Sequence, residues 1–554
     1  MPQKYNTAAL VKQNGQYCAG NPCNNQSFKQ YHTKKTTTHM KLRFTSFFAF
    51  LLCTITTVYA QNSELSIEQQ LAASQRYNFF AIPNQSGDFV RMPSRGASTD
   101  VDAVFYNPAG TAFLPDGFHF SITNQSLRQK TSVISNYQYM NQVPTKFEGL
   151  VSAPFFPSIY GVYKNKRLAI SGGINPIAGG GGAEFKGLPV TERNIADIIP
   201  NLQNIFEATN VDSAYRAIER YSVDFRSTGV AFFGGGQVGI SYRLNKMVSF
   251  AAGVRYVFAR VTSLGHTRSL NIYPTSYGDW ISPGDYCRSL KSTVSPLYGV
   301  ILDLAADQLD INTGNREIDI VQTGFGFTPM FGAHIQPIDG LDIGLKYELN
   351  TDVEITTKVI DGKDGHVEGT NPDSTRLFID GSSVRSDLPG FLAGGVSYKL
   401  LNKKLTLAAG GRYLFTKNAD YNGRENFVNK NYYEIETAIA YNLNPDLTIS
   451  GGYTFGNWNV KPEYQTDVDF WTDSHSFALG GQYVFSEKVE VNVGVLYSIF
   501  ARQKIDYTHT PVPTPTALQA FIPSVEPSQF TNEYKRNALI FAIGADIHLN
   551  KKKD

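Results

Sequence analysis

The sequence predicts an all-β protein, a transmembrane antiparallel β-barrel of about 14 strands with an N-terminal hatch inside its lumen. Three observations predict this. Apolar and polar residues alternate with period two along many segments, six very short links alternate with long polar ones, and no apolar run after residue 60 approaches the roughly 20 residues of a membrane helix. Average composition hides the pattern: the 554 residues are 42% hydrophobic with a mean hydropathy of −0.24, values a soluble protein would also give.

Residues 1–39 are polar and unpatterned, and read as a leader extension. Residues 40–60, MKLRFTSFFAFLLCTITTVYA, have a basic start, a short apolar core from Phe47 to Ile55 and a Val58-Tyr59-Ala60 ending. That is the pattern of a secretory signal peptide cleaved after Ala60, too short for a stop-transfer helix. It places the start of translation at Met40 or leaves residues 1–39 as a disordered extension. Seven of the 50 basic residues and none of the 48 acidic ones lie in residues 1–60, so 43 basic face 48 acidic residues beyond it. The mature chain is mildly acidic, and nothing in it points to nucleic acid. Cys18, Cys23 and Cys53 fall in the leader, leaving Cys287, so the exported chain has no internal disulfide.

Residues 61–116 are turn-rich and unused by the strand count; they are expected to form the hatch, with the barrel over 117–550. Within them Asn107, Pro108, Ala109 and Gly110 form a turn with a fixed proline φ, a weak signal by itself. The strands run from about Phe118 to Leu549. Val489, Val491, Val493, Val495, Tyr497 and Ile499 share one face against Glu490, Asn492, Gly494 and Ser498. In the same way Tyr433, Ile435, Ile439 and Tyr441 oppose Glu434 and Glu436, and Leu405, Leu407 and Tyr413 oppose Thr406 and Arg412. Short links occur at 164–167, 244–247, 337–340, 401–404, 444–446 and 486–488, each separated from the next by a long polar loop. Six short turns and seven long loops make 14 strands, the asymmetry of an outer-membrane barrel.

A ring of that size is too wide for side chains alone to fill. The faces opposite the aromatic ones are small or polar near the short turns (Ser249, Gly253, Ala408, Gly410, Asn492, Gly494), leaving room for a hatch. Farther along they offer Val257, Leu414, Leu496, Phe500 and Ile540, which predict an apolar ligand cavity where a diffusion porin would be polar. Arg255 and Arg412 either meet a carboxylate head group or make lumen salt bridges, for instance Arg412 with Glu436. The third strand, RLAISGGINPIAGGGG, carries Pro176 and four consecutive glycines, which weaken pairing locally. In the following loop Ile195, Ile198, Ile199, Leu202 and Phe206, then Ala214, Ile218 and Tyr221, recur at helical spacing and predict a helix pair. It either collects apolar ligand or packs the loop on the rim.

Enzymatic and cofactor signals are absent. Gly234, Gly236 and Gly239 match a dinucleotide-binding spacing, but the segment continues as strand where a helix is required. The acidic stretch 361–373 is read as a surface loop, so no metal and no cofactor is expected.

The segment DVDAVFYNPAGTAFLPDG, an aromatic strand after it and the 14-strand pattern together resemble the FadL-type outer-membrane transporters of long-chain fatty acids and other hydrophobic compounds. The resemblance covers about residues 75–549. It implies a hatch motif at Asn107 to Gly110 and a lateral opening at an inward kink of the third strand, here Asn175, Pro176 and Gly179, Gly180, Gly181 and Gly182. It also implies a monomer in the outer membrane of a Gram-negative bacterium, with lipid around the barrel and a fatty acid-like ligand within it. The chain departs from many such barrels in ending DIHLNKKKD instead of on an aromatic residue. A diffusion porin for polar solutes and a surface adhesin are the competing readings.

Overall fold

The computed structural model describes residues 86–185, 187–465, 470–511, 518–519 and 521–549, all within a unit spanning 64–554. The expected leader and signal peptide, and the hatch before residue 86, lie outside the described residues. Alternation along the chain is converted into strands because each pleat sends successive side chains to opposite faces. The result is one sheet of β1 (Gly117–Ser135), β2 (Thr145–Asn165), β3 (Leu168–Phe185), β4 (Ile218–Arg243), β5 (Val248–Pro274), β6 (Arg316–Ile338), β7 (Leu341–Glu348), β8 (Glu354–Val367), β9 (Ser383–Arg385), β10 (Phe391–Leu400), β11 (Leu405–Leu414), β12 (Tyr432–Asn442), β13 (Leu447–Asn457), β14 (Ser474–Ser486), β15 (Val489–Phe500), β16 (Gln503–His509) and β17 (Ser528–Leu549).

Neighbours pair antiparallel from β1 to β7, then β10 to β15, then β17, which returns to β1. These 14 staves close the barrel. β8, β9 and β16 extend the wall at the long-loop end, where β8 pairs with β6 and β16 with β17. Closure leaves no sheet edge, which is what a chain in hydrocarbon requires of its backbone. The six short links all join consecutive staves at one end, at 165–168, 243–248, 338–341, 400–405, 442–447 and 486–489. Tyr433, Ile435, Ile439 and Tyr441 are exposed on the outer face, as are Val493, Val495, Tyr497 and Ile499. Among the described residues no helix is long and apolar enough to cross a membrane.

The long-loop end carries a second core. Helices Pro189–Ala196, Ile198–Ala208, Pro283–Ser289 and Pro296–Thr313 bury Ile195, Leu202, Phe206, Tyr286, Leu302 and Ala306 together with Tyr137 and Phe530. The expected stripe Ile195, Ile198, Ile199, Leu202 and Phe206 is therefore consumed in packing the loop. Its expected continuation is not helical: Ala214 lies in a short 3-10 turn, and Ile218 and Tyr221 already belong to β4. Cys287 is enclosed in this core, where burial pushes its thiol well above the usual range and keeps it protonated.

Candidate functional site

Residues 86–116 fill the lumen at the short-turn end. Helix Gly87–Arg91 starts where Ser86 Oγ accepts the Phe89 N–H at 3.1 Å, and Pro108–Phe113 forms a 3-10 helix. The hatch reaches the wall because the wall offers glycines. A Cβ on Gly344 would lie 2.0 Å from the Gly96 carbonyl oxygen, and one on Gly480 would lie 2.5 Å from Arg91 Cβ. Gly410 and Gly494, expected to leave room for a hatch, face Ser94 and Arg91. Arg91 is held by Asp88 at 2.7 Å and by Asn492 Oδ1 at 2.9 Å, and Arg95 by Asp102 at 2.8 Å. Burial works against the charge of Arg95, but Asp102, Asp100 and Asp88 outweigh it and hold its pKa well above the ordinary value. Removing one partner of such a pair strands a buried charge, which costs about 3–5 kcal/mol.

The four motif residues tie the hatch to three strands. Asn107 Nδ2 donates to the Ala333 carbonyl at 3.1 Å on β6 and to Gly96 O at 3.3 Å. The Pro108 carbonyl accepts from Ser241 Oγ at 2.6 Å on β4, and the Ala109 carbonyl from Ser249 Oγ at 2.7 Å on β5. Gly110 passes so close to Ser98 O that a Cβ would sit 2.0 Å from it. This geometry makes the motif an anchor.

The wall is interrupted beside β3. From the short turn, β2 and β3 pair through Ile159 and Ile174 and resume at Ser152 and Gly182; the register breaks between these points. On β3, Pro176 removes a donor, and the register against β4 shifts between Pro176 and Ala178 and again between Gly179 and Gly182. Gly179 has φ +73°, and a Cβ there would lie 2.2 Å from the Ala231 carbonyl oxygen. Gly180 and Gly181 fall inside the interruption, with Asn175 and Pro176 at its other side. Asn175 is buried and its Nδ2 donates to the Pro176 carbonyl at 3.0 Å.

The facing lip on β2 was missed at the sequence level, although its signal, Ala153-Pro154-Phe155-Phe156-Pro157, is plain. The Phe156 N–H donates to Asn124 Oδ1 on β1 at 3.0 Å. Positions 155 and 157 therefore turn their amide positions toward β3, and the second is a proline with no donor. Phe155 and Ile174 flank the opening on the outside, 73% and 67% exposed. On the inside Ile177 occupies the space above Gly235, where a Cβ would lie 2.6 Å from it. Ile177 packs against two separate apolar clusters, one at the hatch and one nearer the loops.

Those two clusters divide the expected lumen residues. Leu496 and Ile540 pack with Phe89, Val90, Phe105 and Tyr106 of the hatch. Val257 and Leu414 pack farther up with Phe233, Tyr432, Trp458 and Trp471. Phe500 belongs to neither, lying under the Arg536 guanidinium at 5.1 Å. The five residues are all buried, and the packing assigns Leu496 and Ile540 to the cluster with the hatch and Val257 and Leu414 to the cluster with the loop aromatics. Both expected arginines are already engaged. Arg255 forms a bidentate pair with Glu348 at 2.7 and 2.8 Å and bonds Gln237 Oε1 at 2.8 Å. Arg412 donates to Glu434 Oε1 at 2.6 Å and approaches Glu436 at 3.6 Å, so Glu434, and not Glu436, is its main partner. Among the described residues no cluster of three metal-ligating side chains occurs.

No protein-family model matches the sequence, and no curated protein matches it. Solved structures do. A FadL homologue from Pseudomonas aeruginosa is similar with a TM-score of 0.52 at 15% identity, over 84% of this chain and 98% of that one. The Pseudomonas putida toluene transporter TodX (TM-score 0.47, 13% identity, 83% and 97% coverage) and the Ralstonia pickettii toluene transporter TbuX (0.47, 14%, 85% and 100%) are also similar. The first of these likenesses establishes that the chain has the FadL-type barrel fold.

Proposed function

We propose that the chain is a passive outer-membrane transporter of hydrophobic small molecules, long-chain fatty acids or compounds of similar polarity, which leave sideways through the β2–β3 interruption. The observation that carries this reading is the register break between Ser152/Gly182 and Ile159/Ile174, bordered by exposed apolar side chains outside and Ile177 inside. Release into water would cost roughly 0.8 kcal/mol per CH₂, whereas transfer into the surrounding lipid avoids that cost. A hatch sealed to the wall by the Asn107 to Gly110 bonds argues against an open aqueous pore and so against a diffusion porin. The chain works as a monomer, and the signal peptide over residues 40–60 directs export and is cleaved after Ala60.

The test is uptake of a labelled long-chain fatty acid and of labelled toluene by Gram-negative cells lacking their own carrier, with and without this protein, alongside single-channel recording of the purified barrel. Uptake of at least one probe with little open conductance supports the reading. Steady ion current that added hydrophobic compound does not alter contradicts it.

A further inference from the structure

The outside of the barrel carries a cluster of cations on the staves around its closing seam. On β1 the outward residues Phe118, Phe120 and Ile122 rise from the short-turn end, and Arg128 lies ten positions beyond Phe118. At ~3.3 Å per residue and a tilt of ~40° that is about 25 Å of height, the depth of the apolar band of an outer-membrane barrel. Asn124 and Ser126, between them, are turned to the β2 lip and donate to the Pro154 carbonyl at 3.4 and 2.8 Å. Arg128 therefore stands where hydrocarbon gives way to headgroups, level with Leu539 on β17 and Ser152 on β2. Lys130 is the next outward residue of β1. Above it Lys504, Glu533, Ile134 and Lys146 run side by side across β16, β17, β1 and β2. Lys535 on β17 and Arg502, immediately before β16, complete the group.

The cations outnumber the acids. Lys130 and Lys146 share Glu148 at 2.9 and 2.5 Å, and Lys535 holds Glu533 at 3.0 Å. Asp506, the third carboxylate, accepts the Thr531 hydroxyl at 2.6 Å. Arg128, Arg502 and Lys504 are exposed, and their side chains form no ion pair or hydrogen bond among the described residues. Overall composition does not account for this excess, since 43 basic face 48 acidic residues beyond residue 60. Leu539, Phe541 and Ile543 lie exposed below the cluster on β17. Surplus positive charge above an apolar wall fits a molecule with acyl chains below and several negative charges above. Phosphate suits it best, because a guanidinium fork meets two phosphate oxygens at once and a lysine ammonium binds phosphate as a point charge. A water-soluble anion would gain nothing from the wall beneath.

We infer that the outer face of β16, β17, β1 and β2 is a docking site for an anionic lipid of the outer leaflet whose headgroup bears more than one phosphate. Arg128, Arg502 and Lys504 take the phosphates, and the acyl chains lie along Leu539, Phe541 and Ile543. The site is outside the wall and does not depend on what the lumen carries. The experiment titrates the purified barrel, in nonionic detergent, with bisphosphorylated lipid A, its monophosphoryl form, zwitterionic phosphatidylcholine and inorganic phosphate, bound lipid being counted by native mass spectrometry. Bisphosphorylated lipid A should bind about tenfold or more tighter than phosphatidylcholine, with the monophosphoryl form between them. Arg128→Gln with Arg502→Gln and Lys504→Gln, checked for folding by heat-dependent gel mobility, should lose most of that margin. Lys246→Gln with Lys403→Gln and Lys404→Gln removes the same charge from exposed positions at the short-turn end and should change binding by less than about twofold. Equal binding of bisphosphorylated lipid A and phosphatidylcholine, equal losses in the two triple variants, or displacement of the lipid by inorganic phosphate overturns the inference.

Discussion

Two seams of the barrel, separated only by the β1–β2 pair, have opposite construction. β1 and β17, the first and last staves, pair without a shift over 18 consecutive positions from Phe118/Leu549 to Ser135/Asn532. β2 and β3, joined by a short turn and so the easier pair to zip, lose register between Ser152 and Ile159. The interruption is therefore not a weakness of closure. It follows from local chemistry: Pro154 and Pro157 on one lip, Pro176 and the glycines on the other, in a barrel whose β1–β17 seam shows how complete pairing can be.

Placing the chemistry of one seam in the other should break the contrast most severely. Ile543→Pro in β17, paired with Asn124 on one side and Val493 on the other, would leave a ladder partner unsatisfied within hydrocarbon. The cost, about 2–7 kcal/mol, should abolish the folded, heat-modifiable band on gels. The reverse exchange, Pro157→Thr with Pro176→Thr, should leave the barrel folded and raise its unfolding temperature, each restored bond contributing about 1 kcal/mol. Uptake should fall about tenfold or more in the same variant. Gly179→Ala alone meets the Ala231 carbonyl in a left-handed conformation and should destabilise by about 1–3 kcal/mol, read as a lower midpoint with insertion retained. Phe155→Ala, at a side chain 73% exposed, should change stability by no more than about 0.5 kcal/mol while altering release kinetics.

The wall was legible in the sequence because its signals are local. Alternation gives the strands, the short links give the turns, and Pro176 with Gly179 to Gly182 marks one lip. The second lip was equally local, in Ala153 to Pro157, yet alternation around it drew attention away from its prolines. The helix expected over Ala214 to Tyr221 failed because β4 already begins at Ile218, where a register shift between Ile218 and Arg220 puts both Ile218 and Tyr221 on the buried side and so mimics helical spacing. Lumen pairing was not legible. Arg255 and Glu348 lie 93 positions apart on β5 and β7, with β6 between them, so only closure brings them together. Arg412 pairs across a single β11–β12 step, where Glu434 and Glu436 both lay within reach and the register, which sets Arg412 opposite Glu434 and Gly410 opposite Glu436, chose between them.

The most direct test of sideways release bridges the gap. In Ser158→Cys with Asn175→Cys, a disulfide or a short bifunctional thiol reagent joins β2 to β3 across the interruption; Ile122→Cys with Ala545→Cys bridges the intact β1–β17 seam as the control. Bridging the first pair should stop uptake of the hydrophobic probe until reductant is added, and bridging the second should leave it unchanged. Undiminished uptake with β2 and β3 joined would contradict lateral release.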